Sequence, residues 1–233
     1  MKPHLPARNR TLVIVPAYNE AAVIWQTVTG LLHAGWKVVV VDDGSTDDTT
    51  DRLRDVAIHY IRHEINLGQG AALMTGMVYA NRAGADFVVH FDADGQHRVA
   101  DIDRMIAVLE NGAADIVMGS RFLDRESRSK VPFSRRILLK TAVLVNFLYS
   151  GLWLTDAHNG LRAMNRLALE KIKLRENGMA HATEILTEIR KHKLRWKEIP
   201  VEVVYSPYAR GKGQSALDAL GILTDLMIRK LFF

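Results

Sequence analysis

Asp92 and Asp94 stand two residues apart in Phe91-Asp92-Ala93-Asp94-Gly95-Gln96-His97, with the carboxamide of Gln96 two positions further on. At that spacing on an extended segment, carboxylate and amide oxygens are hard ligands suited to Mg²⁺ or Mn²⁺. Substrate phosphates would complete the coordination. A cation held there stabilises the charge that grows on a departing diphosphate. An Asp-x-Asp is also common in solvated turns, and spacing alone leaves that reading open. Its position, directly after the apolar run Phe87 to Phe91, is what sets this one apart.

A second acidic pair, Asp42-Asp43, closes the run ending in Val40-Val41 and precedes Gly44-Ser45-Thr46-Asp47. A carboxylate at that point can accept hydrogen bonds from a base or ribose. Ser45 or Thr46 reads as a helix N-cap, with Asp47 and Asp48 complementing the helix dipole. Pro16-Ala17-Tyr18-Asn19-Glu20 follows a third apolar run. A dinucleotide-binding dehydrogenase carries a Gly-x-Gly-x-x-Gly turn there, and its absence counts against that class.

Asn66-Leu67-Gly68-Gln69-Gly70 is a glycine-containing entry to a helix, able to host an anion or simply to make a turn. Arg121, Arg125, Arg128, Arg135 and Arg136 cluster in one stretch. They suit bidentate phosphate recognition or a solvated loop. Arg210-Gly211-Lys212-Gly213 is a basic loop that either closes over a diphosphate or is exposed linker. The nine histidines are scattered, none paired at metal-ligand spacing on a helix, and read as structural.

Elements that must position these groups alternate along the first half. Strands are expected at Leu12 to Val15, Lys37 to Val41, around Ile58 to Ile61, at Phe87 to Phe91 and at Ile116 to Met118, largely apolar and mostly rich in valine or isoleucine. Helices are expected over Ala21 to His33, from Thr46, and over Gly70 to Ala83. That alternation predicts a mostly parallel sheet covered by helices on both faces, with ligands at the carboxyl ends of the strands. The second half is expected to hold a charged loop (Arg121 to Lys130) and an apolar helix (Ile137 to Leu154). A helix containing Glu184 to Lys191, a strand from Trp196 to Tyr205 broken at Pro200, and a terminal amphipathic helix from Leu217 to Phe233 complete it.

The chain has 233 residues, 48% of them hydrophobic and 24% charged, which fits one folded domain and not a disordered chain. With no cysteine, disulfide scaffolds, cysteine nucleophiles and thiolate metal sites are excluded. The basic start, Met1 to Arg10, is not followed by a signal-like apolar stretch. No window supplies the roughly 18 apolar residues of a membrane span. A net charge of +5 favours an anionic partner, whether nucleotide, phospholipid or nucleic acid.

Taken in order, these segments resemble the family 2 glycosyltransferases of GT-A fold, and within them the dolichyl-phosphate mannose synthase type of polyprenyl-phosphate glycosyltransferase. The likeness runs from about Thr11 to Ser215. By that resemblance, Pro16, Ala17, Tyr18, Glu20, Val41, Asp43 and Gly70 contact a nucleotide-diphosphate sugar, together with Asp92, Ala93, Asp94, Arg121, Arg210 and Lys212. Asp92, Asp94 and Gln96 hold the Mg²⁺ or Mn²⁺. The catalytic set it implies is Asp94, Arg121, Arg135, Arg136, Asp156, Glu184 and Arg210. Asp156-Ala157-His158-Asn159-Gly160-Leu161-Arg162 is similar to the family's Asp-x-x-Ser-Gly-Phe-Arg, with Asn159 in place of serine.

A lysine usual after the serine of the late loop is replaced by Ala216, and the membrane-spanning extension of some relatives is not found. The resemblance implies a single domain over 1–233, with a nucleotide-binding half (1–120) and an acceptor-binding half (121–233). It implies a polyprenyl phosphate acceptor, a peripheral place at the cytoplasmic face of the membrane, a small integral membrane partner and no nucleic acid. Two other readings stay open. One is transfer to a sugar hydroxyl with Asp156 or Glu184 as base, and the other a non-catalytic nucleotide-binding module.

Overall fold

The computed structural model describes residues 7–125, 133–156 and 159–204. A short helix, α1 (Ala7–Arg10), leads into β1 (Thr11–Ala17), and α2 (Ile24–His33) returns the chain to β2 (Lys37–Asp42). Then come α3 (Thr49–Arg52), β3 (His59–Arg62), α4 (Gln69–Arg82), β4 (Phe87–His90), α5 (Ala100–Glu110) and β5 (Ile116–Ser120). The second half holds α6 (Phe133–Ser150), β6 (Arg162–Asn165), α7 (Arg166–Lys171), α8 (His181–Lys191) and β7 (Trp196–Pro200). The seven strands form one sheet in the order β3-β2-β1-β4-β6-β5-β7. All neighbours are parallel except β6, which runs against both β4 and β5.

Two apolar layers sandwich this sheet, as the valine-rich strands require. Ile24, Val28 and Leu31 of α2 and Ile102, Met105 and Ile106 of α5 pack on one face, against Val13, Val15, Val38 and Val40. Leu73 and Met77 of α4, Leu169 of α7 and Ile185 and Ile189 of α8 pack on the other, against Ile14, Val39, Val41 and Val88. Adjacent positions on β1 and β2 feed opposite layers, the period-2 rule of a strand buried on both sides.

Several boundaries differ from the expectations. β1 continues through Pro16, which lacks an amide proton. Ile14 presents its carbonyl to Phe91 on the β4 side and Ala17 presents its own to Asp43 on the β2 side, so Pro16 faces the β4 side. The paired register with β4 ends at Ile14, so no ladder bond is lost there. The helix expected from Thr46 starts instead at Thr49, because Ser45 to Asp47 are drawn into contacts with the loop after β1. The apolar helix ends at Ser150 and not at Leu154, and Gly151 follows with a φ of 70° that stops it. The terminal helix expected over Leu217 to Phe233 lies outside the described residues, as does the 126–132 part of the charged loop.

The outer strands are clamped by one carboxylate. Asp115, just before β5, accepts from the backbone N–H of Arg195 (2.8 Å), from its Nε (3.0 Å) and Nη2 (2.7 Å), and from Asn165 Nδ2 (3.0 Å). The hydrogen bonds from Arg195 pull the Asp115 carboxyl down to about 2. A carboxyl depressed on folding stabilises fully above its unfolded value near 4, and that stability is lost as pH falls through 2. Asp115→Asn is expected to lower the melting temperature at pH 7 by about 2–4 °C. It should also flatten the pH dependence between 4 and 2. Equal slopes for variant and wild type in that acid window, followed by scanning calorimetry, would show the clamp to be idle.

Candidate active site

Loops after β1, β2 and β4 meet at the carboxyl edge of the sheet, where a parallel array leaves a crevice. Those after β1 and β2 are laced together. Asn19, in the left-handed region at φ 54°, accepts from Thr46 N–H at 2.8 Å through its side chain. Its own N–H donates to Ser45 Oγ at 3.0 Å, and Glu20 N–H donates to Thr49 Oγ1 at 2.8 Å. This frame fixes Pro16 and Ala17 at the end of β1, leaves Tyr18 exposed, and sets Val41 buried beside Asp43.

Asp43 is buried and binds the next loop to β2. Its Oδ1 accepts from His63 Nδ1 (2.7 Å) and Leu67 N–H (3.0 Å), and its Oδ2 accepts from Gly68 N–H (2.6 Å). The following residue, Gln69, donates through Nε2 to Asp92 Oδ1 at 3.1 Å. Adjacent residues Gly68 and Gln69 therefore tie the carboxylate after β2 to the one after β4.

The glycine-containing entry to α4 makes a turn whose amides are taken up by the protein itself. Gly70 and Ala71 donate their N–H groups to the carbonyl of Asn177, and a Cβ on Gly70 would strike the carbonyl of Glu176 and the side chain of His181. Gly70 serves close packing of this loop over the start of α4.

The Asp-x-Asp loop is anchored from below by Thr27 of α2, whose hydroxyl donates to the carbonyl of Ala93 at 3.0 Å. Asp92 Oδ2 accepts from His97 Nε2 at 3.0 Å, so each of its oxygens already carries one hydrogen-bond donor. Burial alone would raise Asp92; the bond from His97 and the nearby charge of Arg162 outweigh it and hold the carboxyl below its ordinary range. Asp94 goes the other way, pushed up by burial and by the negative charge of Asp92. Gln96 folds back on Asp94, with N–H to Oδ1 at 3.0 Å and Nε2 to Oδ2 at 2.6 Å. Two carboxylates that repel each other, with an amide beside them, are a donor set a divalent cation would relieve. Among the described residues no group of three or more His, Asp or Glu side chains is arranged to hold a metal by itself. Two carboxylates plus a diphosphate suits the ion's habit of sharing its shell.

Arg121, after β5, is buried and ion-paired with Asp156, its Nε 2.6 Å and its backbone N–H 3.1 Å from Asp156 Oδ2. Glu184, in the first turn of α8, accepts from the backbone N–H groups of Arg175 (2.9 Å) and Glu176 (3.0 Å) and so holds the loop before it. Among the described residues no hydrogen bond joins it to Asp92. Arg135 and Arg136 fall in the first turn of α6. Arg210 and Lys212 lie outside the described residues.

Five residues at the site, His97, Gln69, Arg162, His90 and Gly160, were given no role by the sequence reading. His97 and Gln69 orient Asp92; the first had a signal, standing three residues after Asp94, whereas nothing local marks the second. Arg162 is buried between Asp92 and Asp156, opposite His90 in the register of β6 with β4. His90 is fully buried, and burial together with the Arg162 charge drives it down to about 3, so its ring is neutral. Gly160 lies so close to the Asp92 carboxylate that any Cβ would collide with it. Gly160→Ala is expected to displace Asp92 and so to weaken any binding of a nucleotide with Mn²⁺ at this loop by about 10-fold or more. Calorimetric affinities matching the wild type would refute that placement.

The chain belongs to glycosyl transferase family 2, whose model matches residues 12–173. It is of the dolichyl-phosphate mannose synthase type. It is 30% identical over 239 residues to UDP-N-acetylglucosamine–dolichyl-phosphate N-acetylglucosaminyltransferase of Methanococcus voltae, covering 94% of this chain and 95% of that one. It is 35% identical over 173 residues to polyprenol monophosphomannose synthase of Mycolicibacterium smegmatis, covering 71% and 65%. Glucosyl-3-phosphoglycerate synthase of Mycobacterium tuberculosis, solved in complex with Mn²⁺, uridine diphosphate and glucosyl-3-phosphoglycerate, matches with a TM-score of 0.68. That match covers 97% of this chain and 83% of that one at 18% identity, a likeness of fold: both are α/β proteins of GT-A type.

Proposed function

We propose that this chain transfers one sugar from a UDP- or GDP-sugar to a polyprenyl phosphate, with inversion at the anomeric carbon. Asp92, Asp94 and Gln96 hold a Mg²⁺ or Mn²⁺ that supplies charge stabilisation to the departing diphosphate. Asp43 shapes the base pocket by holding the 63–68 loop under it, and Tyr18 offers an exposed ring at its edge. Arg121, steadied by Asp156, and the basic residues Arg135, Arg136, Arg210 and Lys212 supply positive charge for the phosphates.

The observation that carries the choice of acceptor is the state of the two carboxylates otherwise available as bases. Asp156 is committed to Arg121, and Glu184 to backbone N–H groups. A sugar hydroxyl must lose its proton to a carboxylate within reach, whereas a phosphate is already ionised at neutral pH. The named activities of the two relatives above point the same way. Purified protein with Mn²⁺, a panel of UDP- and GDP-sugars and polyprenyl phosphate in detergent should yield an acid-labile, singly glycosylated lipid phosphate. Elongated oligosaccharides as the sole product would turn the assignment to a hydroxyl acceptor.

A lipid acceptor places the chain at the cytoplasmic membrane surface. No described helix is long and apolar enough to cross a bilayer. On α6, however, Lys140, Leu144 and Leu148 fall at four-residue intervals and are exposed, with Trp153 exposed just beyond. A stripe of leucines with a tryptophan and a lysine suits the headgroup region. Flotation with anionic liposomes should recover the wild-type protein, and Leu148→Glu with Trp153→Glu should cut recovery severalfold. Equal recovery of both proteins would remove α6 from the membrane contact.

A further inference from the structure

We propose that the side-chain amide of Asn159 is a phosphate-binding group of this site, its Nδ2 donating to a phosphate oxygen of a bound substrate. The inference rests on the reading that the site takes a nucleotide diphosphate and a phosphate acceptor. Asn159 stands where the related motif has serine, one of two departures from it, the other being Leu161 for phenylalanine. Its side chain is 2% exposed. Oδ1 accepts from Leu161 N–H at 3.0 Å, and since a backbone N–H can only donate, the atom facing it must be the oxygen. The other end is therefore an NH₂ group, and that nitrogen is buried with no hydrogen-bond partner among the described residues. Leaving a buried donor unmet is unfavourable, and such a group calls for a ligand.

Its surroundings indicate which ligand. The next residue, Gly160, lies against the Asp92 carboxylate. Asn159 Oδ1 comes within 3.2 Å of where a Cβ on Gly119 would stand, two residues before Arg121. Three residues back along the chain, Asp156 grips Arg121. The amide thus sits between the metal-binding loop and the arginine of the site, the interval through which the phosphates pass. The guanidinium Nε of Arg121 is taken by Asp156. An amide supplies two further N–H donors without adding another buried charge. A serine hydroxyl at this position offers a single donor on a shorter arm.

Two phosphates could supply the oxygen, the donor's diphosphate or the acceptor's monophosphate, and one series of variants separates them. Asn159→Ala, Asn159→Ser and Asn159→Asp are compared with wild type by melting temperature, and by titration calorimetry with UDP or GDP plus Mn²⁺ and with the bare nucleoside. The KM for polyprenyl phosphate is measured in parallel. Loss of a hydrogen bond to a charged oxygen predicts about 10-fold weaker diphosphate binding for the alanine variant. The aspartate should lose more, the serine should recover part, and nucleoside binding should not change. That pattern assigns the donor. Unchanged diphosphate binding with a KM for polyprenyl phosphate raised about 10-fold assigns the acceptor. If the serine variant melts like wild type and neither quantity moves, the proposal is overturned and the amide holds only a water. A wild-type protein that binds neither diphosphate overturns the underlying assignment, and this one with it.

Discussion

Asp94→Asn is expected to lower kcat/KM by about 1,000-fold or more while leaving the ligand-free protein at least as stable as wild type. The loss follows from removing one of the two carboxylates proposed to hold the cation, whose stabilisation of a departing diphosphate would amount to several kcal/mol, each 1.36 kcal/mol being tenfold in rate. The unchanged or raised melting temperature has a separate cause. Asp94 is held above its ordinary range by burial and by the Asp92 charge, so the ligand-free fold carries an electrostatic conflict that the amide removes. Mn²⁺-dependent stabilisation by UDP or GDP should vanish in the same variant. Full activity with Mn²⁺ still required would show that Asp94 is not a ligand, and a large drop in melting temperature would show that its role is structural.

The second large effect concerns the buried pair. Asp156→Asn removes the counter-charge of Arg121, with both partners almost inaccessible to solvent. Breaking a buried ion pair by removing one partner destabilises by about 3–5 kcal/mol, readable by urea denaturation as a lower midpoint with an unchanged slope. Replacing both partners by apolar residues of similar size, Arg121→Met with Asp156→Leu, should restore most of that stability without restoring turnover. The pair of variants separates two roles for Asp156. If Asp156→Asn unfolds at the wild-type midpoint yet loses catalysis with donor binding intact, Asp156 is a base and the acceptor is a hydroxyl.

How legible the chain was depended on whether a feature was local. β1, β2, β4 and β5 were readable because runs such as Val38 to Val41 and Val88-Val89 can only be strands buried on both faces. The Asp-x-Asp was readable because its ligands are neighbours in sequence. β6 was not: Arg162-Ala163-Met164-Asn165 has no β-branched residue and is four residues long, so its strand character comes from being gripped between β4 and β5. α5 and α7 also went unread, although Ile102, Met105, Ile106 and Leu109 follow helical spacing. The cap assigned to Ser45 and Thr46 failed because those groups bind Asn19, 26 and 27 residues away. The Arg121–Asp156 pair spans 35 positions and leaves no local trace.

The reversed direction of β6 separates this site from those built solely from the tails of parallel strands. A segment that follows a parallel strand hangs free beyond the rim and tolerates changes of length. Asn159 and Gly160 instead precede a strand whose register with His90 and Met118 is already set, so they are hung from the sheet at a fixed height. Inserting one residue between Gly160 and Arg162 would lift the amide and the glycine out of level with Asp92. Extra residues placed before Thr155, on the far side of the Arg121 anchor, would leave that level untouched. Changes of length are therefore accommodated upstream of the anchor and hardly at all downstream of it.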